Sequence, residues 1–260
     1  VGRSNTTTYT TQLLKGAAAL DDTRRVVELW DSQLEPLANL ERLAAKNPLG
    51  KRSRSRLDDL LYRVIQRRFV DPGPHVIPAL KGLLHDHRAF REACYYEAAR
   101  ADALMAAFVE SPLWGWWQQG RLAVGVDDVV GWLHELADSG QTPAWSDSVV
   151  TRLAQNLLTA LRDFGILIGA PRCHRKEFAP PAMTARGFAY VAWREHEQGA
   201  SSRALTTGGV WRRWLLDNAA VEALFNQSAR LGVLQLSRAG SVVRVDWRVA
   251  GLAEATRAAA

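Results

Sequence analysis

The chain has 260 residues, 47% of them hydrophobic and 23% charged, a globular composition that excludes a disordered segment and a disulfide-stapled miniprotein. Its 33 Lys+Arg against 27 Asp+Glu leave a net +6. From Lys46 to Arg68 stand 8 basic residues and 2 acidic ones, so this window holds the whole excess and the remainder carries 25 of each sign. Such a concentration points to a polyanion, with nucleic acid first.

The opening, Val1 to Thr10, is polar and lacks the apolar core of a signal peptide. Asp22 is placed to cap a helix of about Thr23 to Asp31 with Val26, Val27 and Trp30 on one face, and a second helix is predicted from Leu37 to Lys46. Asn47-Pro48-Leu49-Gly50 forces a turn. Ser53 or Ser55 then caps a third helix to about Phe69, whose buried stripe is Leu57, Leu60, Leu61, Val64 and Ile65.

That third helix carries the charge. Arg56, Arg63 and Arg67 share one face, while Lys51, Arg52 and Arg54 cluster at its N-terminal end, where free N–H groups and the helix dipole also favour phosphate. The arginine fork grips a phosphate or the O6/N7 edge of guanine. A solvated face with Asp59 and Arg63 paired at i, i+4 is the bland reading; the two preceding helices and tight turn give the helix-turn-helix setting that favours nucleic acid.

Asp71-Pro72-Gly73-Pro74 ends this unit. Helices follow at about His75 to Leu84 and Arg88 to Phe108. Ser111-Pro112 signals the start of a short Trp-rich segment through Trp117, Asp127 a helix to about Asp138, and Ser146 a longer one to Phe164 with Val150, Leu153, Leu157, Leu161 and Phe164 at helical spacing. The 10 tryptophans read as core filling first and as a partner-binding cluster second.

Gly165 then caps the helix and Ile166 to Ile168 reads as a strand; a loop from Gly169 to Lys176 leads to a second strand. Arg172, Arg175 and Lys176 make this loop a candidate phosphate-positioning wing or simply a soluble surface loop. Pro180-Pro181 is the expected linker between a 1–180 domain and a 181–260 domain. In the latter the same order recurs: a helix through Val221 to Leu231, Gly232, a strand Val233 to Leu236, a turn, and a strand Val242 to Trp247 in which Val243, Val245 and Trp247 alternate with Arg244, Asp246 and Arg248. Helix, glycine, hairpin is the order of a winged helix-turn-helix. The fold class expected is mainly α, a helical bundle with helix-turn-helix or winged-helix units and small β-hairpin wings.

Cys94 and Cys173 form neither a disulfide framework nor a CxxC pair, which fits a reducing, cytoplasmic compartment. Cys173-His174 has no second pair at metal-ligand spacing, so neither metal nor cofactor is expected. His134-Glu135-Leu136-Ala137-Asp138 departs from a zinc-protease helix at its fifth position, and GxxxxGK[ST], GxGxxG and GxSxG are missing, so no catalytic residue is expected. No apolar run approaches the ~20 residues of a membrane span.

Four patches of sequence are similar to one family: Tyr9-Thr10-Thr11-Gln12-Leu13-Leu14-Lys15-Gly16-Ala17, Asp22-Thr23-Arg24-Arg25-Val26, Lys46 through Ser55, and Arg67-Arg68-Phe69. They resemble the BrxA family of bacterial BREX (bacteriophage exclusion) systems, most clearly over residues 9 to 70. The resemblance implies a helical, non-enzymatic accessory protein of phage defence that binds double-stranded DNA, with the system's methyltransferase, phosphatase-like protein, ATPase and protease as partners. A likeness of the family to an RNA-binding antitermination fold implies RNA as an alternative ligand. A third reading is a protein-protein scaffold of the defence complex, docking through the Trp-rich segment and the C-terminal unit.

Overall fold

A computed structural model describes residues 9–240 and 242–260; the polar opening falls outside them up to residue 8. Most described residues are helical, with small antiparallel strand pairs. They form two compact units, each entered twice by the chain. One holds the residues up to Ala18 with Ala99–Pro180, the other Ala19–Ala98 with Pro181–Ala260. A single division at residue 180 therefore does not describe the packing. Residues 19–98 pack against residues 181–260: the helix Val76–Gly82 packs on Leu252–Ala258, and Tyr95 stacks edge-on against Trp214 at 5.2 Å.

In the first unit, Asp102 interrupts the helix expected from 88 to 108. Its extended backbone and its carboxylate, which accepts the Met105 N–H at 3.2 Å, start a new helix Ala103–Phe108. Ser111-Pro112 begins nothing. Pro112 lies inside Val109–Leu113, a widened i→i+5 turn that moves away the carbonyl a proline ring would meet in a regular helix, and the chain continues into Trp114–Gln118.

There follow strand β1 (Ala123–Gly125), helices Val126–Asp138 and Asp147–Asp163, β2 (Leu167–Ile168) and β3 (Arg175–Phe178). β3 is central in the order β1-β3-β2, antiparallel to both, with Val124 opposite Lys176 and Leu167 opposite Phe178. Three residues cannot display a period of two, so β1 left no sequence signal. Gly165 adopts φ 80 and closes the long helix, whose Val150, Leu153, Leu157 and Leu161 are all buried. Phe108 holds Trp132 at 5.0 Å and Trp116 at 5.9 Å.

The second unit opens with helix Leu20–Leu29, which starts before Asp22 and carries Asp21 and Asp22 in its first turn, where the dipole favours them. Pro36–Lys46 follows. The Asn47 amide clamps the next turn, donating to the Lys51 carbonyl at 2.8 Å and accepting its N–H at 3.0 Å. Ser53 caps Arg54–Asp58 by accepting the Arg56 N–H at 3.2 Å; the helix then continues as a wider i→i+5 coil, Asp59–Val70. The predicted stripe Leu57, Leu60, Leu61, Val64 and Ile65 is buried, and Arg68 and Phe69 join it.

The helix Ala185–Glu197 is buried without a break from Gly187 to Arg194. Phe188 stacks on Trp211 at 4.7 Å and meets Phe225 edge-on at 4.9 Å. The helix Asn218–Arg230, Gly232 at φ 76, and strands β4 (Leu234–Ala239) and β5 (Val242–Trp247) repeat the order of the first unit, with Leu236 opposite Val245. No described helix is long and apolar enough to cross a membrane.

Candidate nucleic-acid interface

Folding divides the basic window of the second unit. Arg52, Arg56, Arg63 and Arg67 are exposed. Arg63 bonds Asp59 at 3.0 Å, the expected i, i+4 pair. Such an exposed pair is weak enough to yield to a phosphate. Two other residues are more committed. The Lys51 ammonium is half-buried against the Asp22 carboxylate at 2.8 Å, and Arg54 donates to Asp58 at 3.1 Å and to the Ala44 carbonyl at 3.0 Å. Both fasten the turn into the helix as well as adding charge.

In the first unit the loop between β2 and β3 exposes Arg172, Cys173, His174 and Arg175. Lys176 departs from its expected role as a surface contact. It is 2% exposed, and its ammonium donates to the carbonyls of Ala170 and, at 2.8 Å, Cys173. The strand alternation that turns Arg175 outward turns Lys176 inward, where it ties the loop to β3.

Between this loop and the helix Asp147–Asp163 runs a cleft in two connected parts of about 500 and 310 Å³ that share Val126, Gln155 and His174. Thr151, Gln155, Asn156 and Thr159 line it from the helix, and Arg172 and Arg175 from the loop. Arg152 is exposed on the same helix. Sequence reading missed Arg152, Gln155 and Asn156 because it followed only the buried stripe. The complementary signal was present: opposite Val150, Leu153 and Leu157 stand residues able to donate and accept hydrogen bonds, with acidic residues only at the helix ends, Asp147 and Asp163.

The far wall of the cleft carries Arg121, Asp127 and Asp128. Arg121 lies over the Trp116 ring at 4.9 Å and pairs with Asp128 at 2.5 Å, and Asp128 also accepts the Gly125 N–H at 2.6 Å. Burial pushes the Asp128 carboxyl up, but Arg121 and the Gly125 N–H outweigh it and hold the group below the usual carboxylate range. Asp128 thus stays ionised and neutralises Arg121, the exposed Asp127 adds a carboxylate to the same wall, and Arg172 and Arg175 are the cations that the loop turns to the cleft. Among the described residues no group of three His, Cys, Asp or Glu is placed to hold a metal ion.

The sequence model of one family, BrxA, matches residues 7–194. No curated protein matches the chain. Among solved structures, the crystal structure of an uncharacterized protein from Magnetospirillum magneticum is similar in fold, with a TM-score of 0.59 and 18% identity, covering 79% of this chain and 97% of that one.

Proposed function

The chain belongs to the BrxA family, and from that premise we propose that it is a double-stranded-DNA-binding accessory protein of a BREX phage-defence system, working without chemistry of its own beside the system's enzymes. The observation that supports this most is the first unit's order of elements. Helix, strand, helix, helix, strand, loop, strand, with β1 beside β3, is the order of a winged helix, and its third helix and wing carry the polar stripe and the exposed arginines of the cleft. In this reading the helix Asp147–Asp163 enters the major groove while Arg172 and Arg175 hold the sugar-phosphate backbone. Arg52, Arg56, Arg63 and Arg67 of the second unit supply further phosphate contacts, and in the same reading the β4–β5 hairpin is the wing of a second winged helix.

The test compares labelled duplex DNA, duplex RNA and a polyglutamate of similar charge against the full chain. Duplex DNA is expected to bind tightest, with the triple variant R152A/R172A/R175A losing most of that affinity. Equal binding of all three, or no duplex binding at low salt, would overturn the proposal.

One observation favours a scaffold role alongside: Leu122 is 81% exposed, next to Arg121 on Trp116, and Trp114, Trp116, Trp117 and Trp132 are only half-buried. Retrieval of other BREX components from cells carrying the operon, lost on Leu122→Asp, is the result expected for that role.

A further inference from the structure

Charge alone binds any duplex. The two basic surfaces differ in what they add to charge. From 52 to 56 the second unit's helix exposes Arg52, Ser53, Arg54, Ser55 and Arg56, and further on Arg63 and Arg67. This is a phosphate-gripping face with no exposed amide. The helix Asp147–Asp163 exposes Ser148, Arg152 and Gln155, with Thr151, Asn156 and Thr159 half-exposed beside them. These fall at three- and four-residue intervals, so they form one stripe about 16 Å long.

We infer that this stripe reads base sequence in the major groove, Gln155 and Asn156 recognising adenine and Arg152 guanine. The inference rests on the duplex-binding reading above and adds specificity to it.

Three observations carry it. A carboxamide presents one donor and one acceptor at the spacing of adenine N6 and N7, and a guanidinium matches guanine O6 and N7. Arg152, Gln155 and Asn156 have no hydrogen-bond or ion-pair partner among the described residues, so their groups are free to meet a base edge. The stripe also borders the cleft whose opposite lip is Arg172 and Arg175, which places phosphate contacts beside base contacts, as a duplex requires. The stripe is free of carboxylates from Ser148 to Arg162, so nothing on it repels the phosphates flanking a base pair.

The experiment is selection of duplexes from a random library by the full chain, followed by affinities for a selected and a scrambled duplex. A shared motif containing adenine is expected, with the selected duplex bound about tenfold to a hundredfold tighter than the scrambled one, the range of one or two bidentate contacts. The variant Q155A/N156A narrows the preference for the selected duplex severalfold by weakening that duplex, and a thermal melt matching the unaltered chain's shows that the variant is folded. Replacing the motif's adenines by 7-deazaadenine, which removes N7, has the same effect in the unaltered protein. R172A/R175A instead weakens both duplexes alike. Duplex binding with no enriched motif, or a motif that Q155A/N156A reads as well as the unaltered chain, would overturn this inference and leave the proposed function standing. Absence of duplex binding would overturn both.

Discussion

Gly187 is the third residue of the helix Ala185–Glu197, where alanine is ordinarily the better helix former by up to about 1 kcal/mol. Here the sign is expected to reverse. The Glu92 carboxylate lies over Gly187 and caps the helix from outside, accepting the Thr184 N–H at 3.1 Å and the Thr184 hydroxyl at 2.5 Å, while Arg88 donates to it at 3.2 Å. A Cβ on residue 187 would stand 2.0 Å from the Glu92 Oε2 and 3.0 Å from both its Cβ and Cδ. Because the stem as well as the tip is crowded, the whole side chain must leave. Overpacking of this kind costs about 1–3 kcal/mol, and the Thr184 N–H left unpaired about 1–3 kcal/mol. Set against the helix gain, G187A is expected to destabilise by about 1–5 kcal/mol. The assay is urea unfolding, where with a slope of about 2 kcal/mol/M this lowers the midpoint by about 0.5–2.5 M. In an E92A background the clash is gone, and the same substitution is expected to be neutral or stabilising by up to about 1 kcal/mol. G187A as stable as the parent, or equally damaging with and without Glu92, would refute the reasoning.

Glu92 also makes stability depend on pH. Burial raises its carboxyl above the usual carboxylate range more strongly than Thr184 and Arg88 lower it, so the folded state holds the proton more tightly than the unfolded chain. The stability linked to that proton is complete below the unfolded value and is lost as pH rises through the folded one. The stability of the parent relative to E92Q is therefore expected to grow as pH falls toward the usual carboxylate range, read from urea midpoints; a flat difference would contradict it. Arg194 is 3% exposed and pairs with the fully buried Glu97 at 2.8 Å, which also accepts the Tyr190 hydroxyl at 2.9 Å. R194M takes the Arg194 cation from that buried carboxylate and is expected to cost about 3–5 kcal/mol by denaturation, whereas a loss under about 1 kcal/mol would show the pair to be dispensable. K176M unties the carbonyls of Ala170 and Cys173. Cleavage between 170 and 174 by a protease of low specificity is expected to quicken severalfold, and an unchanged rate would show that Lys176 does not brace the loop.

What the sequence disclosed was what repeats along one element. The stripe Leu57 to Ile65, the Ser53 cap and the glycine before each hairpin follow from local rules and are all present. What it concealed depends on partners far along the chain. Lys176 is basic and sits in a basic loop, and only its pairing opposite Val124 on β1 turns it inward. The two-pass units arise from Glu92, Tyr95 and Glu97 meeting Thr184, Arg213 and Arg194, contacts separated by 92, 118 and 97 positions. For the candidate interface, clustered charge was visible and located Arg52, Arg56, Arg63, Arg67, Arg172 and Arg175 on the surface. An uncharged amide stripe makes no mark in a charge count, and it became evident only once a cleft opened beside it.

Duplex binding through phosphate neutralisation is read most directly from the slope of log affinity for a duplex against log salt. A steep negative slope is expected, flattening by about 0.9 for each phosphate contact removed, hence by nearly 2 in R172A/R175A if each arginine holds one phosphate. A shallow slope in the parent chain, or one that this double variant leaves unchanged, would contradict duplex binding of this kind.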